Sequence, residues 1–270
     1  MNPISEILQK KRKNASCVLI PFLTAGYPSV DLTIEALIML DSQGADVIEL
    51  GIPYSDALAD GPLIQESSKV ALEQGTHINQ VLFILSQVKY ELNSPIIIFT
   101  YYNPILARGT EKFIQEISLL GVKGLIVPDL PIEETDYLNY LCINYGIELI
   151  LFIAPTSSHN RILNIVSKAQ GCVYLVSNTG VTGVRSYIND EINTLSAYIK
   201  SNTNKLLILG FGISSPAQVS RISQWNIDGI VVGSAFTRIL SHDNNDKKSS
   251  ARMIKNLGKF CKEMKTAIKD

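Results

Sequence analysis

The feature that most constrains this chain is a repeat of pattern. A short apolar, β-branched run recurs eight times, and most runs are followed by a segment of helical period. The runs fall at residues 18–22, 47–50, 96–99, 124–127, 148–152, 173–177, 206–209 and 229–232. Segments 32–44, 111–120 and 133–145 space their apolar residues as an amphipathic helix does. Strands alternating with helices imply right-handed βαβ units and a parallel sheet. Eight such units in 270 residues match an α/β fold of the (β/α)8 TIM barrel type, read as one domain over residues 1–270. The rival is a doubly wound open sheet. That fold favours a glycine-rich dinucleotide turn after its first strand, and Thr24-Ala-Gly-Tyr-Pro28 does not fit G-x-G-x-x-G. An extra N-terminal helix is expected before the barrel, capped by Asn2, with Pro3 in its first turn. The polar tract 241–250 reads as a surface loop ahead of a closing helix at about 251–269.

Composition removes several function classes. Hydrophobic residues make up 46% of the chain, enough for a sizeable core, and the net charge is −1 with no basic stripe. Nucleic acid is therefore a poor partner. No apolar run reaches the roughly 18 residues that a membrane helix needs. The N-terminal segment places its charges after its apolar residues, which is not secretory signal order. The expected compartment is the cytoplasm, or the plastid stroma if the chain is organelle-encoded. The four cysteines (Cys17, Cys142, Cys172, Cys261) form no Cys-x-x-Cys pair, and the three histidines (His77, His159, His242) show no ligand spacing. No metal site is expected, the cysteines read as reduced thiols, and the histidines read as surface residues.

In such a barrel the chemistry sits where strands end. The segment 47–62, Val-Ile-Glu-Leu-Gly-Ile-Pro-Tyr-Ser-Asp-Ala-Leu-Ala-Asp-Gly-Pro, puts Glu49 inside an apolar strand and Asp60 on the loop beyond it. A carboxylate in an apolar strand is costly to bury unless something uses it. Two carboxylates in different environments let one site hold an acid and a base near neutral pH. On its loop Asp60 is expected to be the more solvated and to stay ionised. Leu209-Gly-Phe-Gly-Ile-Ser214 follows the seventh run, and Val231-Val-Gly-Ser-Ala-Phe236 follows the eighth. Loops in these places, with a short helix start, form the recurrent phosphate site of TIM barrels. No Arg or Lys clusters there, so backbone donors and a single phosphate monoester are expected. Ser177-Asn-Thr-Gly-Val-Thr-Gly-Val-Arg185 has the composition of a mobile flap.

With these residues assembled, the chain resembles the tryptophan synthase alpha subunit family over nearly its whole length. Glu49 through Gly51, Tyr54-Ser-Asp56 and Leu58-Ala-Asp-Gly-Pro62 match that family's hallmark segment. Pro21-Phe22, Pro128-Asp129, Gly180-Val-Thr-Gly183, Gly210-Phe-Gly-Ile-Ser214 and Gly233-Ser234 follow in the family's order. The resemblance implies a lyase that splits indole-3-glycerol phosphate into indole and glyceraldehyde 3-phosphate for tryptophan biosynthesis. It implies Glu49 as the catalytic acid and Asp60 as the anion facing the indole nitrogen. It implies an indole pocket of Phe22, Ile64, Phe99, Ile126, Phe152, Tyr174 and Phe211, and phosphate donors from Gly183, Gly212, Gly233 and Ser234. Thr182 is expected to meet Asp60 when the lids close. The implied partner is a beta subunit that carries pyridoxal phosphate, in an alpha2-beta2 heterotetramer, with no cofactor in this chain. Two positions depart from the family: Ala57 stands where proline is frequent and is expected to loosen the Asp60 loop, and Asn178 stands where many members carry arginine. The competing readings are a barrel that serves mainly as an allosteric binding subunit, and another sugar-phosphate isomerase or aldolase. An isomerase usually needs a His or Lys near the reacting carbonyl, and no His lies at a strand end here.

Overall fold

The structure is a computed structural model that describes residues 2–14, 16–177, 190–241 and 247–268. Nine parallel strands are found among these residues: β1 (Val18–Thr24), β2 (Ile48–Gly51), β3 (Ile96–Phe99), β4 (Gly124–Ile126), β5 (Glu148–Leu149), β6 (Leu151–Ile153), β7 (Cys172–Val176), β8 (Leu206–Gly210) and β9 (Gly229–Val232). The helices are α1 (Pro3–Lys13), α2 (Val30–Ser42), α3 (Pro62–Glu73), α4 (Ile78–Val88), α5 (Tyr102–Arg108), α6 (Thr110–Leu119), α7 (Thr135–Asn144), α8 (His159–Lys168), α9 (Asp190–Asn202), α10 (Pro216–Ile222), α11 (Ser234–Leu240) and α12 (Lys247–Ala267).

The strand order is β5-β4-β3-β2-β1-β9-β8-β7-β6. β5 and β6 flank Ile150 in the chain, so the sheet closes on itself through that residue. This is the expected eight-unit barrel, with one difference. The fifth run, expected as one strand over 148–152, is broken. Its first half pairs with β4 and its second half with β7, and the chain turns from one neighbour to the other at Ile150. The closing helix also differs: α12 starts at Lys247, inside the tract expected to be a loop.

Strand alternation divides the apolar residues into two cores. Val18, Ile20 and Phe22 point into the barrel, where they meet Ile97, Phe99, Ile126, Tyr174, Ile208 and Val231. Leu19 and Leu23 point outward onto the helices, with Leu37, Leu40, Ile48 and Leu50. The N-terminal helix closes the barrel floor. Asn2 accepts the Ile4 N–H as an N-cap, and Ile4 and Leu8 are fully buried in the inner core. Gly124 makes room for this plug, because a Cβ there would come within 2.6 Å of Ile4 Cδ1. Buried Glu148 also belongs to the floor. Its carboxylate accepts from Ser5 Oγ at 2.7 and 2.9 Å and from the Cys172 N–H at 2.6 Å. All four cysteines are free and buried. His77 and His159 are exposed, as expected, and His242 lies outside the described residues. Among the described residues no helix is long and apolar enough to cross a membrane.

Candidate active site

The site opens at the C-terminal ends of the strands, where the sequence places it. Glu49 alternates with the outward-facing Ile48 and Leu50, so its side chain enters the barrel, and only 2% of the residue is exposed. Its Oε2 has no hydrogen-bond partner among the described residues. Glu148, the other carboxylate inside a strand, is held by three hydrogen bonds. Glu49 is thus the buried acid left open toward the cavity. Burial first, and the nearby charge of Asp60 second, push its pKa up to about 8.

Asp60 corrects the expectation of a solvated loop carboxylate: only 6% of it is exposed. Its loop folds back over the barrel mouth and is tied down from α3. Gln65 Nε2 donates to the carbonyls of Ala57 and Asp60 at 3.1 and 3.0 Å. The Asp60 N–H donates to the Ala57 carbonyl at 3.1 Å. Ala57, where proline is frequent in the family, is itself buried. Burial raises the Asp60 pKa to about 6, and a hydrogen bond from Tyr101 opposes the rise. Tyr101 Oη donates to Asp60 Oδ2 at 3.0 Å and accepts the Ala59 N–H at 3.0 Å. Near pH 7 the pair therefore holds one protonated acid, Glu49, and one carboxylate, Asp60. That is the division of labour an acid and an electrostatic partner require.

Aromatic rings surround the pair. Phe22 meets Phe99 edge-on at 5.9 Å, and Phe99 meets Tyr101 at 6.2 Å. Phe152 packs on Tyr174 at 4.8 Å, and Tyr174 on Phe211 at 5.9 Å. The cavity encloses about 400 Å³ including its open mouth. Its lining is Phe22, Glu49, Asp60, Ile64, Phe99, Tyr174, Phe211, Gly212, Val231, Gly233 and Ser234. Among the described residues no Lys, Arg or His lines it. Ile126 and Phe152, expected in the pocket, are not in its lining. Ile126 is fully buried in the inner core. Phe152 backs the pocket through its ring contacts and lines a neighbouring hollow beside Val127 and Leu151. Thr182, Gly183 and Asn178, with the expected flap beyond Ser177, lie outside the described residues.

The far corner of the cavity is built from two turns. Phe211 and Gly212 both adopt positive φ, 75° and 78°, at the end of β8. Gly233 caps α11, which begins at Ser234. The N–H groups of Gly212, Gly233 and Ser234 find no acceptor among the described residues. These three residues line one cavity, and unpaired N–H groups at a turn and a helix start favour an anion. Among the described residues no group of His, Cys, Asp and Glu is arranged to hold a metal ion.

Tyr101 and Val231 were missed by sequence reasoning. A signal for Tyr101 existed: it lies two residues past the end of β3, on the face where barrel sites form.

A family model described as tryptophan synthase alpha chain matches residues 8–269. The chain belongs to the tryptophan synthase alpha chain family. It is 59% identical over 269 residues to the tryptophan synthase alpha chain of Gracilaria tenuistipitata var. liui, covering 99% of this chain and 97% of that protein. It is 47% identical to the alpha chain of Synechocystis sp., covering 99% and 100%. Among solved structures, Mycobacterium tuberculosis tryptophan synthase superposes with a TM-score of 0.88 at 29% identity, over 97% of this chain and 96% of that one. The Legionella pneumophila alpha subunit superposes with a TM-score of 0.86 at 31% identity, over 99% and 98%. Cleavage of indole-3-glycerol phosphate is the reaction of this family, so the chain is a carbon–carbon lyase of tryptophan biosynthesis. The family works with a beta subunit.

Proposed function

We propose that Glu49 and Asp60 carry out the retro-aldol cleavage. The bond from indole C3 to the glycerol chain cannot break heterolytically while the ring is aromatic at C3. Protonated Glu49 gives its proton to C3, and the ring becomes an iminium-like electron sink. Asp60 accepts the indole N–H and stabilises the positive charge that develops there. Glu49, now a carboxylate, takes the proton of the neighbouring side-chain hydroxyl. The carbon–carbon bond then breaks, its electron pair restores the aromatic ring, and the aldehyde of glyceraldehyde 3-phosphate forms. The observation that carries this reading is the Oε2 of Glu49, without a partner among the described residues and buried in the same cavity as Asp60.

Phe22, Ile64, Phe99, Tyr174 and Phe211 hold the indole ring, with Ile126 and Phe152 packed behind them. Gly212, Gly233 and Ser234 hold the phosphate, joined by Gly183, while Thr182 meets Asp60 on closure. The chain acts as one barrel domain that needs no cofactor of its own. Pyridoxal phosphate belongs to the beta subunit, and the assembly is an alpha2-beta2 heterotetramer. The compartment is the cytoplasm, or the plastid stroma for an organelle-encoded chain. Red algal and cyanobacterial relatives are consistent with either. Assaying Glu49→Gln for indole release tests the acid role. The expected result is loss of turnover with glycerol 3-phosphate binding retained; turnover near the wild-type rate would refute it.

A further inference from the structure

The turn after β8 holds Phe211 and Gly212 in the left-handed region. Glycine adopts that conformation freely, whereas a phenylalanine side chain crowds its own backbone there. Something must hold the turn. Ser177, the first residue beyond β7, reaches it from the neighbouring strand. Its backbone N–H donates to the Gly210 carbonyl at 3.0 Å, and its hydroxyl donates to the Phe211 carbonyl. Two consecutive carbonyls of the turn therefore point toward one residue. In a trans peptide the N–H points opposite to the C=O. The N–H groups of Phe211 and Gly212 must then face away from Ser177, and successive N–H groups on one side make an anion-binding concavity. Gly212 lines the cavity and Ser177 does not.

We infer that Ser177 is a positioning residue for the substrate phosphate. Its hydroxyl fixes the Phe211–Gly212 peptide so that the Gly212 N–H faces the anion, and it does this without touching the ligand. The inference rests on the assignment of Gly212 to the phosphate site. It requires a donor at position 177: threonine supplies one and alanine does not.

The test is equilibrium binding of glycerol 3-phosphate and, separately, of indole to the full chain. Ser177→Ala should weaken glycerol 3-phosphate about five- to tenfold, the range expected for one lost hydrogen bond, with indole affinity unchanged. In turnover, KM should rise by the same factor with kcat nearly unchanged. Ser177→Thr should stay within about twofold of wild type, given that a donor is retained. In a Phe211→Gly background, where the left-handed turn needs no strap, Ser177→Ala should cost less than about twofold. Unchanged glycerol 3-phosphate affinity in Ser177→Ala overturns the inference. Equal weakening of both ligands also overturns it, because that marks general damage to the site. Gly212→Val separates the two levels of argument. If it too binds glycerol 3-phosphate normally, the phosphate assignment itself is wrong. If it loses binding while Ser177→Ala does not, only the role of Ser177 falls.

Discussion

Replacing Glu49 with glutamine gives a prediction about stability that is separate from catalysis. Glu49 ordinarily ionises near 4.5, and in the folded chain its pKa is pushed up to about 8. Between those values the unfolded chain has lost this proton while the folded chain keeps it. Unfolding therefore releases a proton, and stability falls as pH rises through the window. Below pH 4.5 the carboxyl is protonated in both states and has no such effect. The displacement corresponds to about 5 kcal/mol at most by pH 9. Glutamine has nearly the same shape and never ionises, so the variant escapes the loss. Asp60 is present in both proteins and largely cancels. For a chain of this length about 1 kcal/mol moves Tm by about 2–4 °C. Thermal unfolding followed by circular dichroism at pH 5, 7 and 9 should show Glu49→Gln gaining on wild type, the Tm difference opening by about 10 °C. Parallel Tm curves across that range would refute the claim that a buried, unpaired carboxyl sits at this position.

The same pair sets the pH profile of the lyase: activity should fall below about pH 6 as Asp60 protonates and above about pH 8 as Glu49 ionises, giving a bell in kcat/KM. Tyr101→Phe removes the donor that opposes protonation of Asp60. The acid limb should move up by about one pH unit, in keeping with the strength of a hydrogen bond to a charged group, and an unmoved limb would show that Tyr101 does not act on Asp60. Gly51→Ala would bring a Cβ within 2.7 Å of the Phe22 ring. It should destabilise the fold by about 1–3 kcal/mol through overpacking, read in urea unfolding, and should raise KM as Phe22 shifts into the cavity. Adding the beta subunit should raise the rate of indole release. Leu58, 83% exposed at the tip of the Asp60 loop, is expected on the docking face. Leu58→Asp should reduce that stimulation while leaving the unstimulated rate alone.

The order of strands and helices was legible because hydrophobic period is a local property: two for the strands, near 3.6 for the helices. Glu49 was legible for the same reason, as a charge inside an apolar run. The glycine turns after the last two strands were readable because the barrel assigns strand ends a face, and the family resemblance then implied Gly212, Gly233 and Ser234 within them. Tertiary structure decided what depends on distant neighbours. The break at Ile150 depends on pairing partners: residues before it bond to β4 and residues after it to β7, and no local period encodes that. Asp60 looked like a solvated loop residue, yet Gln65 of α3 holds its backbone carbonyl and Tyr101, just past β3, donates to its carboxylate. Ile126 and Phe152 read as pocket residues; in the fold Ile126 is fully buried in the inner core and Phe152 packs on the rings of Phe99, Tyr174 and Phe211. Sequence alone thus chose the barrel and marked the charge of Glu49 inside it, through patterns a few residues long. Burial, pairing partners and the pKa of each carboxyl came only from closing the sheet, because dielectric and hydrogen bonding are set by groups far apart in the chain.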